Sequence, residues 1–318
     1  MKRIPVAFWI LAPFVMAACA TVPVSGRRSF NIISEDQELA LGTNAYREVI
    51  GTSKASPDTA AAAMVRRVGE RIARVSDRPD YPWEYVLIDD PKNQNAFCLP
   101  GGKVAVYTGL LPITKTETGL AVVLGHEIAH AIAKHGAERM TQELLLQLGG
   151  QTLEAAMSKK PAETRQLALQ AFGLGATFGA IMPFGRSQES EADRMGLIYM
   201  AKAGYDPREA LAFWTRMESA SGGKSPPQFL STHPSHETRI RDLQKWMPEA
   251  ENIYSTIVTT QVPHPPLRGT FPQEGKEYKE FPSPLGRPLT EIGAPGAPEA
   301  LKRGQGEGPE QLPTIDKK

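Results

Sequence analysis

Apolar positions along this chain fall into runs of different period, and each run predicts an element. Ser34-Glu35-Asp36-Gln37 has the spacing of a capping box, so a helix is expected from there to about Val49. Ala60 to Val75 repeats apolar residues at helical spacing, with Pro57 after Ser56 placed to open the helix. Trp83-Glu84-Tyr85-Val86-Leu87-Ile88 alternates and is β-rich, which predicts a strand ending at Asp89-Asp90-Pro91. Asn95 to Tyr107 reads as two short strands about Pro100-Gly101-Gly102. From Ala121 to Ile132 nearly every residue is apolar or small, which predicts a buried helix interrupted by His126, Glu127 and His130.

Further helices are expected over Glu138 to Met157, bent at Gly149-Gly150, and over Ala162 to Phe172. The second runs into a Gly-rich apolar stretch, 173–182, too short to span a membrane and read as a core helix or a cover over a cleft. Ser187 to Asp193 opens a charged helix. After a short strand beyond residue 250, Pro263 to Lys318 is rich in Pro, Gly and charge, the composition of an extended or disordered tail. The fold class is α+β, mainly α, with a small sheet beside the 121–132 helix.

Composition narrows the chemistry. Lys and Arg number 36 against 35 Asp and Glu, so the overall balance offers nothing for nucleic acid. Two cysteines, Cys19 and Cys98, cannot build a disulfide framework or a cysteine zinc cluster, so a metal must be held by His and carboxylates. Lys2 and Arg3 followed by apolar Ile4 to Val15 read as an export signal, and Met16-Ala17-Ala18-Cys19 resembles a bacterial lipobox. The division expected is a signal peptide at 1–18, a linker at 19–30, a catalytic domain at 31–250 and the tail at 251–318. Cys19 would carry the lipid.

The chemistry centres on His126-Glu127-x-x-His130. Positions four apart on a helix return to one face, so both imidazoles can meet one ion while Glu127 reaches a water beside it. Glu189 and Asp193 are again four apart. Glu189 is the expected third ligand, Glu191 the alternative, and Asp193 is placed to fix the tautomer of a ligand histidine, preferably His126.

Taken with Glu-Ala-Asp-Arg-x-Gly at 191–196 and Ser231-Thr232-His233-Pro234, these motifs resemble the zinc peptidase family of HtpX, the CaaX prenyl proteases and the mitochondrial inner-membrane stress protease. Within it the chain is most similar to periplasmic lipoprotein members such as LoiP, YcaL and the protease domain of BepA. The resemblance spans about residues 25–250. It implies a zincin-like (gluzincin) fold and one Zn2+ per chain on His126, His130 and Glu189, with Glu127 as catalytic base. His233 would lie near the metal, as a transition-state donor or as a fourth ligand closing the site. His135, His236 and Arg239 could stand behind the ligands. Asn95, Ala96, Phe97, Val104, Ala105 and Val106 would form the edge that pairs with substrate.

The function so implied is zinc-dependent endopeptidase cleavage of misfolded or unassembled cell-envelope proteins. The expected partners are unfolded protein or peptide substrates, a membrane reached through lipidated Cys19, and envelope assembly machinery, but no nucleic acid. The expected location is the bacterial envelope, on the periplasmic face of the outer membrane. Two rival readings are a chaperone or assembly factor for outer-membrane proteins with a normally closed site, and an inert lipoprotein without zinc.

Overall fold

The stretch expected to be a linker is instead a structured hairpin. Strands β1, Cys19–Thr21, and β2, Arg28–Phe30, pair antiparallel, and Val22 between them is buried in the core. Burial of that one apolar side chain ties the hairpin to the domain, which polar composition alone concealed. The structure, a computed structural model, describes residues 19–221, 228–233 and 238–260. The expected signal segment, His236 and the Pro/Gly-rich tail lie outside the described residues.

Local signals start the next helices. The Ser34 side chain accepts from the Gln37 N–H and the Gln37 side chain from the Ser34 N–H, and this box opens α1, Glu35–Thr52. The Asp58 carboxylate accepts from the Ala61 N–H to cap α2, Thr59–Val75, so the helix begins after Pro57 rather than on it.

Three strands follow: β3, Glu84–Ile88; β4, Ala96–Leu99; and β5, Lys103–Tyr107. Their order is β3-β5-β4, with β5 parallel to β3 and antiparallel to β4. This corrects the expected substrate edge. Val104, Ala105 and Val106 are fully buried on the central strand, whose two backbone edges are already paired. β4 is an edge strand of this sheet, with one side that no strand occupies among the described residues, while the other edge strand, β3, meets Ala55 through an isolated bridge at Ile88. A hairpin in isolation has two free edges; the parallel pairing of β5 with β3 removes one of them.

Beyond the short α3, Leu111–Thr114, the Thr116 hydroxyl accepts from the Gly119 N–H and opens α4, Glu117–Ile132. Every residue of α4 from Gly119 to Ile132 is buried, as its unbroken apolar character requires. The chain then turns at Lys134, a non-glycine residue at φ +58°, whose ammonium lies 2.6 Å from Glu35 and 3.5 Å from Glu38. α5, His135–Ala156, starts at once and runs unbroken through Gly149-Gly150, where a bend was expected. A Cβ at Gly149 would meet the Phe172 ring at 2.9 Å, so that glycine serves packing against α6, Ala162–Ala176.

No residue of α6 is buried, and a π-helical turn, Thr177–Ile181, joins it to α7, Met182–Lys202. The Gly-rich stretch is therefore not a core helix. Ile181 and Met182 instead line a groove of about 840 Å³. α8, Glu209–Ser221, the short α9, Gln228–Thr232, and α10, Arg239–Thr260, complete the described chain. α10 replaces the strand expected after residue 250. Its Leu243, Met247, Ala250 and Tyr254 share one face at helical spacing and pack on the core, which outweighs the β-branched residues near its end. No described helix is long and apolar enough to cross a membrane.

The closest helix crossing is between α4 and α7. A Cβ on Gly196 would lie 2.7 Å from the His126 nitrogen and 2.8 Å from the Gly125 carbonyl carbon, both backbone atoms. Gly196→Ala is therefore expected to destabilise by about 1–3 kcal/mol through overpacking, against a helix-propensity gain of only about 1 kcal/mol. Urea unfolding of the metal-free protein measures this, and a midpoint at or above wild type would show that the crossing relaxes.

Candidate metal centre

α4 places His126 and His130 one turn apart, and the two Nε2 atoms lie 3.0 Å from each other. α7 brings in Glu189, with its carboxylate 3.3 Å from His126 Nε2 and 3.4 Å from His130 Nε2. His233, just after α9, adds Nδ1 at 3.2 Å from both His126 Nε2 and Glu189 Oε2. All four side chains are buried, and they form the group of His and carboxylate donors that could hold one ion. Zinc–ligand bonds of about 2.0–2.1 Å in tetrahedral array put neighbouring donors ~3.3 Å apart. The separations of 3.0 to 3.4 Å among these donors are close to that edge length, and one donor atom from each residue lies within 4.8 Å of all the others.

The outer partners set which nitrogens carry protons. His126 Nδ1 faces Asp193 Oδ1 at 2.9 Å, the placement expected from spacing. Asp193 in turn accepts from Arg239 Nε at 2.6 Å, and Arg239 Nη2 donates to Glu189 Oε2 at 3.0 Å. The buried guanidinium lies 3.8 Å over the Trp214 ring. His130 Nδ1 lies 2.8 Å from His135 Nδ1, and His135 Nε2 lies 2.8 Å from Glu191 Oε2. Glu191, the alternative ligand, thus turns away from the metal position. Burial lowers the pKa of His135 and favours the neutral ring, so its one proton belongs on Nε2, facing the carboxylate. Its Nδ1 then accepts from His130. When both ligand rings are neutral their Nε2 lone pairs face one another and a carboxylate, an arrangement that calls for a cation between them, either a proton on His126 or a metal ion. The residues present fit zinc.

Charge points the same way. Three carboxyl groups, Glu127, Glu189 and Asp193, are buried at the centre with one guanidinium, Arg239, which reaches Glu189 and Asp193. Burial opposes ionisation of Glu189, but His130, His126 and His233 outweigh it and hold the carboxylate well below its usual range. Glu127 goes the other way, raised chiefly by burial. One of its oxygens lies 3.2 Å from His233 Nε2. Burial likewise opposes charge on His126, yet Asp193 and Glu189 outweigh it and push its pKa up to about 9.

Sequence reasoning brought His126, Glu127, His130, Glu189, Asp193 and His233 to one place, and the structure gathers all six. It had left Arg239 and His135 without a partner. Phe229, which stacks on His233 with ring centroids 4.5 Å apart, and Trp214 were missed; both read only as helix-core aromatics. Of the expected edge, Ala96 and Phe97 lie on β4, and buried Asn95 precedes it.

Comparison with known proteins agrees with this centre. The profile of Peptidase family M48 matches residues 59–247. The mitochondrial metalloendopeptidase OMA1 of Schizosaccharomyces pombe is 40% identical over 235 residues, covering 72% of this chain and 67% of its own. Its Saccharomyces cerevisiae counterpart is 31% identical over 250 residues, covering 73% and 70%. The beta-barrel assembly-enhancing protease of Escherichia coli is 27% identical over 248 residues, covering 73% of this chain but only 48% of its own. These relatives overturn the expected bacterial-envelope location, because both yeast proteins are mitochondrial. The reading failed for a physical reason: residues 1–34 are basic, apolar and free of acidic residues. Export signals and organelle-targeting segments share much of that character.

The His126 pKa gives a pH prediction. In the metal-free protein it lies near 9, above the ordinary 6.5, so the imidazolium contributes stability in full below 6.5 and loses it as pH rises through about 9. Zinc must displace that proton. Apparent zinc affinity should therefore climb by up to about tenfold per pH unit and level off above about pH 9. Chelator-competition titrations across that range check this; a flat profile below about pH 8 would contradict it.

Proposed function

The chain belongs to peptidase family M48 and is a zinc metalloendopeptidase, and from that premise we propose that it cuts extended segments of unfolded or unassembled proteins. The observation that carries this reading is the buried donor cluster with Glu127 beside it on α4, a helix that packs against the edge strand β4. Zinc held by His126, His130 and Glu189 would polarise the scissile carbonyl and lower the pKa of the attacking water. Glu127, its own pKa raised by burial, would accept a proton from the attacking water and hand it to the leaving amine. Pairing along β4 uses main-chain hydrogen bonds, which select extended chain over particular side chains. The groove beside Glu189, lined by Phe184, Met182 and Arg139, would take residues on one side of the scissile bond.

His233 decides the resting state. Its Nδ1 stands at the fourth vertex while its Nε2 touches Glu127, so one imidazole fills the place of the water and engages the base. In this reading the described conformation is closed, and substrate must draw His233 aside. A closed site also supports the second reading, a factor that assists assembly and cuts rarely; one relative is named a beta-barrel assembly-enhancing protease.

Two variants separate the possibilities on a denatured protein substrate. Glu127→Gln should retain stoichiometric zinc and lose about 10²–10⁴ in cleavage rate. Wild-type protein that binds zinc and client but cuts no faster than this variant would favour the assembly reading. His233→Ala should raise cleavage about tenfold or more if the imidazole holds most molecules closed. A fall in rate would instead make His233 a donor to the transition state.

A further inference from the structure

The two carboxylates behind the ligand histidines are each held by an arginine remote in sequence. Asp193, behind His126, is held by Arg239. Glu191, behind His135 and His130, is held by Arg27, which lies outside the residues that the family profile matches. Arg27 sits in the loop between β1 and β2. Its Nε donates to both Glu191 oxygens, at 3.1 and 2.9 Å, and its Nη2 to Oε2 at 2.8 Å. The same guanidinium donates to Glu138 through Nη1 at 2.7 Å and Nη2 at 3.0 Å. The Ser25 hydroxyl donates to Glu191 Oε1, and Gln188 Nε2 to Glu138 Oε2 at 2.8 Å.

We infer that Arg27 is a positioning residue for the metal ligand His130, acting through Glu191 and the fully buried His135. The argument is one of proton placement. His135 can accept from His130 Nδ1 only while its own proton stays on Nε2, and the Glu191 carboxylate 2.8 Å away keeps it there. Glu191 has no other fixed cation among its described contacts. Without Arg27 its carboxylate keeps only the Ser25 hydroxyl and His135, and the Glu138 carboxylate that shared the guanidinium is left without that cation. If Glu191 turns, His135 is free to move its proton to Nδ1, where it meets the N–H of His130, and the ligand ring must rotate off the metal axis. The N-terminal hairpin is thereby coupled to the centre, one hundred residues on in sequence but three side chains away in space.

The inference rests on the metal centre described above, and its test is a metal-binding one. In Arg27→Met, which keeps much of the length and loses the fork, zinc affinity by chelator competition should fall about tenfold. Arg27→Lys, with charge but no bidentate geometry, should recover part of the loss. In the Glu191→Gln background, Arg27→Met should cost little more, since the route is already broken. Thermal unfolding of the metal-free proteins reports hairpin docking separately. If Arg27→Met melts earlier yet binds zinc as wild type does well below its midpoint, Arg27 only docks the hairpin and the inference fails. Full additivity with Glu191→Gln would sink it equally. Should Arg27→Met not fold, Ser25→Ala removes one Glu191 partner gently, and unchanged zinc affinity there would count against the route. Wild-type protein that binds no zinc would overturn the metalloendopeptidase reading itself.

Discussion

The site exists because two helix backbones touch. Gly125 on α4 and Gly196 on α7 meet with no room for a Cβ on either. Glu189, Asp193 and Gly196 follow one another at four- and three-residue steps, so they share a face of α7. His126 stands next to Gly125. Seating glycine against glycine lets Asp193 face one nitrogen of His126 at 2.9 Å and Glu189 the other at 3.3 Å. A side chain at the crossing would meet backbone atoms of the facing helix at 2.7–2.8 Å and force the two apart, lengthening these contacts.

The helices that make this contact bury a polar cluster at the centre of an apolar core, which is costly unless every group has a partner. The structure meets that demand in layers. Glu189 accepts from Arg239, the guanidinium of Arg239 lies over Trp214, and Asp193 joins Arg239 to His126. His130 reaches its carboxylate less directly, through His135. What remains after this pairing is a set of lone pairs and negative charge converging on one point, and that remainder is the affinity for a cation. Metal binding is in this sense the completion of the core rather than an addition to it.

Five of the central residues, His126, Glu127, His130, Glu189 and Asp193, and the helices under them were legible because helix geometry is local, whereas His233 entered only through the resemblance of Ser231-Thr232-His233-Pro234 to the family motif. Spacings of four residues place side chains on one face whatever lies around them, so His126 with His130, and Glu189 with Asp193, announced themselves. The capping box at Ser34 and the hairpin turn at Pro100 were legible for the same reason. Less visible was anything set by pairing between distant segments. That β5 would be central depended on a parallel partner upstream, β3. That 251–260 would continue a helix depended on the core waiting for Ala250 and Tyr254. The polar loop at Ser25 and Arg27 read as a linker because nothing within a few residues hinted at Glu191.

Sequence alone therefore determined the ingredients: a buried helix bearing two imidazoles and a base, a second helix bearing carboxylates, and a metal chemistry free of cysteine. Only the tertiary structure decided their assignment. It chose Glu189 over Glu191 as the acid that faces the imidazoles, set the His233 ring at the fourth corner, and handed Arg27 and Arg239 one supporting carboxylate each. The reason is physical: helical periodicity is fixed by bonds within a single turn, whereas which side chain fills which corner depends on how closely two backbones can approach, and that is known only once they pack.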